Sequence, residues 1–275
     1  MEYIETCSIC KINIGLYITE KRKDGYHNIE TIFYPINKLF DNLVFKKSNE
    51  LNLKCNIKFL NNQDNIIFKA IKALENYTGE IFPVEITLTK NIPFGAGLGG
   101  GSSNAAETLK AINYLYELNL STSELLQIAA KIGADVPFFI TPAPTFATGI
   151  GDIFSPVDLK IKYPILLVKP EISISTKEAY ASIQPQKASF NLLEISGKVF
   201  DKHLSLLPNI KNDFENFAFE KYPELLQIKN TLVENGAFFA LMSGSGSTIY
   251  GIFEDNSAAE KANNLLSTKY QTYIV

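Results

Sequence analysis

Between Ile4 and Thr19 the even positions Ile4, Cys10, Ile12, Ile14, Leu16 and Ile18 are mostly apolar, while the odd positions include Glu5, Lys11, Asn13 and Thr19. A period of two predicts a long opening strand with an aliphatic face and a polar face. Lys11 and Asn13 then share the polar face, one pleat repeat or about 6.7 Å apart. Lys23-Asp24-Gly25 reads as a turn into a second strand over 28–34, so the first two strands predict a hairpin with Tyr26 and His27 beside its turn. Strand-like pieces follow near 43–45 and 51–59. The period then changes: apolar residues at 67, 70, 71 and 74 predict an amphipathic helix over 66–77 that ends before Gly79. A strand over 84–88 comes next, then a helix over 104–118 with Ala105, Leu109, Ile112 and Tyr116 on one stripe. The capping box Ser121-x-x-Glu124 opens a further helix through Leu125, Ile128, Ala129 and Ile132, stopped by Gly133, with Asp135 just past its end.

Pro142, Pro144 and Pro156, with Gly149 and Gly151, interrupt the pattern over 141–162, and the expected domain boundary falls near residue 155, giving domains 1–155 and 156–275. Beyond it the pattern predicts a strand over 165–168, a helix over 223–234 started by proline and stopped by Gly236, strands over 238–242 and 249–253, and a helix over 257–266. Strands and helices alternate without the regular βαβ spacing of a doubly wound sheet, so the expected class is α+β.

Composition narrows the functional classes. With 46% hydrophobic and 20% charged residues in 275, the chain has ample apolar material for a folded core. The net charge of −3 offers no field for a polyphosphate backbone, so nucleic acid is not an expected partner. No apolar run approaches the roughly 20 residues of a membrane-spanning helix, and the opening Met1-Glu2-Tyr3-Ile4-Glu5 lacks a basic segment followed by an apolar one. No membrane association is expected, and the expected location is cytoplasmic. Cys7-x-x-Cys10 stands without a second pair or nearby histidine, so the three cysteines read as ordinary reduced thiols.

The candidate chemistry starts at one cluster. Five of the seven residues 95–101 are glycine, in a chain with only 16 glycines. Glycines admit positive φ and remove Cβ atoms, so successive N–H groups can converge on one anion, and a helix starting near Ser103 adds its own free N–H groups and dipole. Phosphate is the natural occupant. A flexible linker would gain nothing from Leu98 at its centre or from the patterned helix behind it. A Walker loop requires Gly-Lys-Ser/Thr, but Gly101 is followed by Ser102 and the loop has no lysine. The dinucleotide fingerprint can be forced onto Gly95-Ala96-Gly97-Leu98-Gly99-Gly100, but its βαβ unit is missing, and about 20 positions on only Glu117 is available.

Pro93-Phe94-Gly95-Ala96-Gly97-Leu98-Gly99-Gly100-Gly101-Ser102-Ser103-Asn104-Ala105-Ala106 resembles the phosphate loop of the galacto-, homoserine, mevalonate and phosphomevalonate (GHMP) kinases, in the form found in the branch that acts on a diphosphocytidyl alcohol. Lys11-Ile12-Asn13 followed by Arg22-Lys23-Asp24-Gly25-Tyr26-His27, then Gly133-Ala134-Asp135-Val136-Pro137-Phe138-Phe139, then Met242-Ser243-Gly244-Ser245-Gly246-Ser247, are similar to that branch's other motifs and stand in the same order. One departure is Ile9-Cys10, where the family usually has Pro-Ala ahead of the lysine.

The resemblance implies a two-domain α+β architecture, with a ribosomal protein S5 domain 2-like N-terminal domain and a ferredoxin-like C-terminal domain. The implied activity is transfer of the ATP γ-phosphoryl group to the 2-hydroxyl of diphosphocytidyl methylerythritol, in the non-mevalonate route to isoprenoid precursors. Asp135 would be the general base and Lys11 the group that stabilises charge on the phosphoryl oxygens, with Pro93, Phe94, Gly95, Ala96, Gly97, Leu98, Gly99, Gly100, Gly101, Ser102 and Ser103 on the ATP phosphates. Asn13, Tyr26, His27 and Tyr180 would contact the second substrate, Tyr26 and Tyr180 stacking on the cytosine and His27 bonding to its edge. Taken alone, Asp135 could equally be a helix-end residue, Lys11 a solvated strand lysine, and Tyr26 and His27 turn-packing residues. Ser102 and Ser103 read both as N-cap residues and as hydroxyls reaching phosphate or Mg²⁺. Mg²⁺ is expected to arrive with ATP, with no protein ligand assigned to it. The expected partner is the small-molecule substrate, for a monomer or weak homodimer. Another small-alcohol kinase of the family, or a nucleotide-binding sensor without catalysis, remains the alternative.

Overall fold

The structure, a computed structural model, describes residues 2–275. Its elements are β1 (Tyr3–Lys21), β2 (His27–Lys47), β3 (Asn52–Cys55), α1 (Ile66–Thr78), β4 (Val84–Thr89), α2 (Gly100–Leu115), α3 (Thr122–Ala130), β5 (Thr145–Thr148), β6 (Ile153–Pro156), β7 (Ile165–Lys169), α4 (Thr176–Ala181), α5 (Phe214–Lys221), α6 (Pro223–Glu234), β8 (Ala237–Met242), β9 (Ile249–Phe253), α7 (Asn256–Leu266) and β10 (Gln271–Ile274). They group into two compact units, and β1 and β2 contribute to both.

One unit holds the residues up to Cys10, Asn37–Phe94 and Gly99–Pro142. Its sheet pairs β2 with β4 antiparallel, setting Leu43 against Leu88 and Phe45 against Ile86, and adds β3 parallel to β4. Helix α1 forms where the periodicity predicts it. Asn65 caps its start by accepting from the Ile67 N–H at 3.0 Å, Gly79 closes it at φ 79°, and Ile67, Ala70, Ile71 and Leu74 are its buried stripe. The capping box of α3 is complete, with Ser121 accepting from the Glu124 N–H and the Glu124 carboxylate accepting from the Ser121 N–H.

The second unit holds Lys11–Ile36, Gly95–Leu98 and Ala143–Val275. Here β5 pairs antiparallel with both β2 and β6, and a separate four-stranded antiparallel sheet runs in the order β10-β7-β9-β8. Leu225, Ile228 and Leu232 of α6, spaced three and four apart, are buried with Ala259, Ala262 and Leu266 of α7 and Leu166 and Val168 of β7 in one core. Each fully buried leucine or isoleucine there contributes roughly 1.5–3 kcal/mol.

Several expectations change. β2 is one continuous strand through Pro35, so the pieces near 28–34 and 43–45 are the same element. The strand expected over 51–59 is only Asn52–Cys55, followed by a 3₁₀ turn at Lys58–Leu60. β1 is not half-solvated: residues 11–18 are buried on both faces, because other chain segments cover the side that periodicity assigned to water. Helix α2 begins at Gly100, earlier than predicted, since glycines that read as loop from propensity complete its first turn.

Candidate active site

The glycine cluster alternates anchor and opening. Ala96 and Leu98 are buried at 2% exposure each, while Gly95, Gly97 and Gly99 between them stay accessible and all hold positive φ, at 62°, 75° and 69°. Leu98 therefore belongs to the loop as the side chain that pins it. At Gly97 the need for glycine is absolute, because a Cβ there would stand 2.0 Å from the Ser243 carbonyl oxygen. Gly99 is the residue ahead of α2 and accepts from the Ser103 N–H at 2.9 Å, so the N–H groups of Gly100, Gly101 and Ser102 have no partner within the helix. Ser102 and Ser103 lie inside the first turn and are not N-caps, which removes one of their two readings. The Ser103 hydroxyl is buried and makes no hydrogen bond to any described residue, an unspent polar group one turn into the helix. Three N–H groups at the positive end of a sixteen-residue helix, reached over glycine backbone, make a fit for phosphate oxygens.

Lys11 is buried at 4% exposure and is not a solvated strand lysine. Its Nζ donates to Asn13 Oδ1 at 2.6 Å and stands 4.8 Å from the centre of the Phe33 ring. Its backbone N–H donates to the Leu98 carbonyl at 3.0 Å, so strand β1 and the glycine loop touch at this residue. Asn13 Nδ2 donates to Thr31 Oγ1 at 2.8 Å and Thr31 donates to the Gly15 carbonyl, which fixes the amide and leaves its oxygen for the ammonium. The last of the family-like motifs, Met242–Ser247, joins this group. Ser243 Oγ donates to the Gly97 carbonyl at 3.0 Å and accepts from the Asn13 N–H at 3.2 Å, and Tyr250 Oη donates to the Asn13 carbonyl at 2.9 Å. Asn212 holds the motif from behind, its Nδ2 bonding to the Met242 and Gly244 carbonyls, while the Glu215 carboxylate accepts from the Met242 N–H. Burial pushes the Glu215 carboxyl above its usual range, against the pull of Lys229.

Tyr180 and His27 stack, with ring centres 5.0 Å apart and planes 19° from parallel, and the Phe214 and Tyr180 rings meet nearly perpendicular with centres 5.0 Å apart. Burial, and then Lys21, hold the His27 imidazole below its ordinary pKa, favouring the neutral ring. Tyr26 is 61% exposed at the hairpin tip, where its N–H donates to the Asp24 carboxylate. Asp135 follows α3 in a turn ahead of the 3₁₀ segment Pro137–Phe139, within the first compact unit, whereas Lys11, Asn13, Tyr26, His27 and Tyr180 lie in the second. Periodicity and spacing single out none of Thr31, Asn212, Glu215 or Tyr250, because each acts through a partner far away in the chain. Among the described residues there is no group of three or more His, Cys, Asp or Glu side chains that could hold a metal, and no helix long and apolar enough to cross a membrane.

The GHMP kinases N terminal domain matches residues 65–142 and the GHMP kinases C terminal domain matches residues 192–271. A solved structure of 4-(cytidine 5'-diphospho)-2C-methyl-D-erythritol kinase superposes with a TM-score of 0.81 at 30% identity, covering 98% of each chain. A 4-diphosphocytidyl-2-C-methyl-D-erythritol kinase of Bacteroides thetaiotaomicron is 46% identical over 89% of this chain and 90% of its own. The kinase of the same name from Prosthecochloris aestuarii is 41% identical over 98% of this chain and 96% of its own. The chain belongs to the GHMP kinase family, in the group of these 4-diphosphocytidyl-2-C-methyl-D-erythritol kinases.

Proposed function

We propose that this chain transfers the γ-phosphoryl group of ATP to the 2-hydroxyl of 4-diphosphocytidyl-2-C-methyl-D-erythritol. The single observation that carries the reading is the loop of residues 93–103: positive-φ glycines at alternate positions lead into a helix whose first N–H groups have no partner within the helix, and the backbone N–H of the buried Lys11 donates to the Leu98 carbonyl of that loop. Phosphoryl transfer passes through a loose transition state in most analyses, so positioning and charge neutralisation are the main tasks of the protein. The loop N–H groups hold the phosphates, with Ser102 and Ser103 beside them. Lys11 neutralises the transferred group, a task suited to a compact charge whose direction Asn13 sets. Asp135 orients the acceptor hydroxyl and takes its proton as the oxygen–phosphorus bond forms and ADP leaves. Mg²⁺ arriving with ATP would spread the negative charge of the triphosphate, with no residue of this chain assigned as its ligand.

Tyr26, His27 and Tyr180 read the cytosine. The stacked His27–Tyr180 pair supplies a flat face, and a neutral imidazole keeps one donor and one acceptor for the base edge. The expected setting is the cytoplasm, with the substrate as the partner and the chain a monomer or weak homodimer. The test is ADP release from Mg-ATP with a panel of acceptors: the diphosphocytidyl alcohol, mevalonate, phosphomevalonate, homoserine and galactose. The expected result is turnover with the first alone. Turnover with another alcohol of the panel would assign a different substrate, and nucleotide binding without turnover on any of them would favour a sensor.

A further inference from the structure

Over 39–45, strand β2 carries one charged residue on an otherwise apolar inward face. Leu39, Asp41, Leu43 and Phe45 share that side of the strand, and Asp41 is 0% exposed. An ionised carboxylate out of water is tolerated only when every oxygen is bonded. Both are. Oδ1 accepts from the N–H groups of Asn91 and Ile92, each at 2.8 Å, and Oδ2 accepts from Lys90 Nζ and from Asn104 Nδ2, the latter at 2.8 Å. Asn104 is itself oriented by its bond to Ser8 Oγ. Lys90, Asn91 and Ile92 are the residues ahead of Pro93, and Asn104 follows Ser103. One carboxylate therefore grips both the way into and the way out of the phosphate loop. The pair also shapes the start of α2: a Cβ on Gly100 would meet Lys90 Nζ at 2.8 Å and Ile92 Cγ2 at 2.9 Å.

We propose that Asp41 is a positioning residue for triphosphate binding, setting the separation of the two ends of the loop so that the N–H groups at the start of α2 face the phosphates before ATP arrives. The inference rests on the reading that this loop holds the ATP phosphates. A stability role alone would be met as well by apolar residues of similar volume, which replace buried ion pairs without loss in many proteins. A glycine-rich loop, by contrast, has much backbone freedom to lose on binding, and fixing its ends removes that loss in advance.

The decisive variants are Asp41→Asn and Asn104→Ala. In Asp41→Asn the remaining oxygen still accepts from the Asn91 and Ile92 N–H groups, while the new amide opposes two donors, Lys90 Nζ and Asn104 Nδ2, so the exit side is released. The expected result by calorimetry is a Kd for ATP raised at least about tenfold, a Kd for the diphosphocytidyl alcohol within about twofold, and kcat at saturating ATP within about threefold. Amide hydrogen exchange over 93–103 should accelerate with no change in α6 or α7. Asn104→Ala keeps the Asp41–Lys90 pair and decides the matter should Asp41→Asn not fold; there the ATP Kd should rise about fivefold. An unchanged ATP Kd in folded Asn104→Ala, or equal weakening of both ligands, overturns the inference. Wild-type protein that binds no ATP overturns the underlying reading instead.

Discussion

The ammonium of Lys11 is held by Asn13 on one side and the Phe33 ring on the other. A buried charge so arranged suits work on a reacting phosphoryl group. In the proposed mechanism Asp135 takes the proton, so Asp135→Asn, which keeps the shape, should lower kcat at least ~100-fold while the ATP Kd changes little, as read by single-turnover kinetics and calorimetry. On the proposed reading, in which Tyr26 stacks on the cytosine, Tyr26→Ala should weaken the cytidyl substrate by roughly 1–3 kcal/mol with ATP binding unaffected, since the ring is exposed at the hairpin tip. Glu215 is expected to leave a mark on stability. Its carboxyl is raised by burial, so the native state favours the protonated form, and the stability it contributes below the ordinary carboxylate range is lost as pH rises through the raised value. Comparing melting temperatures across that window, the wild type should lose ground to Glu215→Gln as pH increases, and parallel curves would contradict the assignment. Little of this was visible in the one-dimensional pattern. Lys11 and Asn13 fall on one strand face by spacing, but whether that face meets water depends on what packs against it, and Asp41 shows only as an odd charge among Leu39, Leu43 and Phe45.

At the scale of elements, local rules suffice where the ends of an element carry their own chemistry. Asn65, the Ser121–Glu124 box and Pro223 open helices through their side chains, and Gly79 closes one through a backbone at positive φ. Ser121→Ala should accordingly cost about 1 kcal/mol in urea unfolding. The glycine loop of residues 93–103 depends on more than its own sequence. Gly97→Ala combines positive φ with a clash against the backbone of the Met242–Ser247 motif, whereas Gly25→Ala, at φ 87° with nothing within 4 Å, carries only the backbone strain of roughly 1–2 kcal/mol. Gly97→Ala should be the more destabilising of the two and should also lose ATP binding; equal effects would mean that the loop moves aside freely. The early start of α2 was hidden for the same reason: glycine is a poor helix former, and only its surroundings place Gly100 and Gly101 in a helical turn.

For the whole molecule, the compact units are not successive halves of the chain. Strands β1 and β2 run through both, and residues 95–98 belong to one unit while 99–103 belong to the other. Lys11 and Asp135 lie in different units, so a shared role is a claim about the assembled chain and calls for a test of coupling. In a cycle of Lys11→Met, Asp135→Asn and the double variant, groups acting on one transition state should give a double variant only slightly slower than the slower single one; multiplied rate losses would mean independent roles. ATP at about 100 times its Kd should also stabilise the protein by about 2.7 kcal/mol, read as a rise in unfolding midpoint.

The order of motifs, the capped start of α1 and of α3 and the glycine density are local properties, and the amino-acid sequence alone determined them, together with the class α+β and the family. Tertiary structure decided which charges are buried, because burial is a property of neighbours far along the chain. It brought Ser243 to Gly97, Asn104 to Asp41 and Tyr180 to His27, contacts separated by 146, 63 and 153 positions (180 − 27) that no local period encodes.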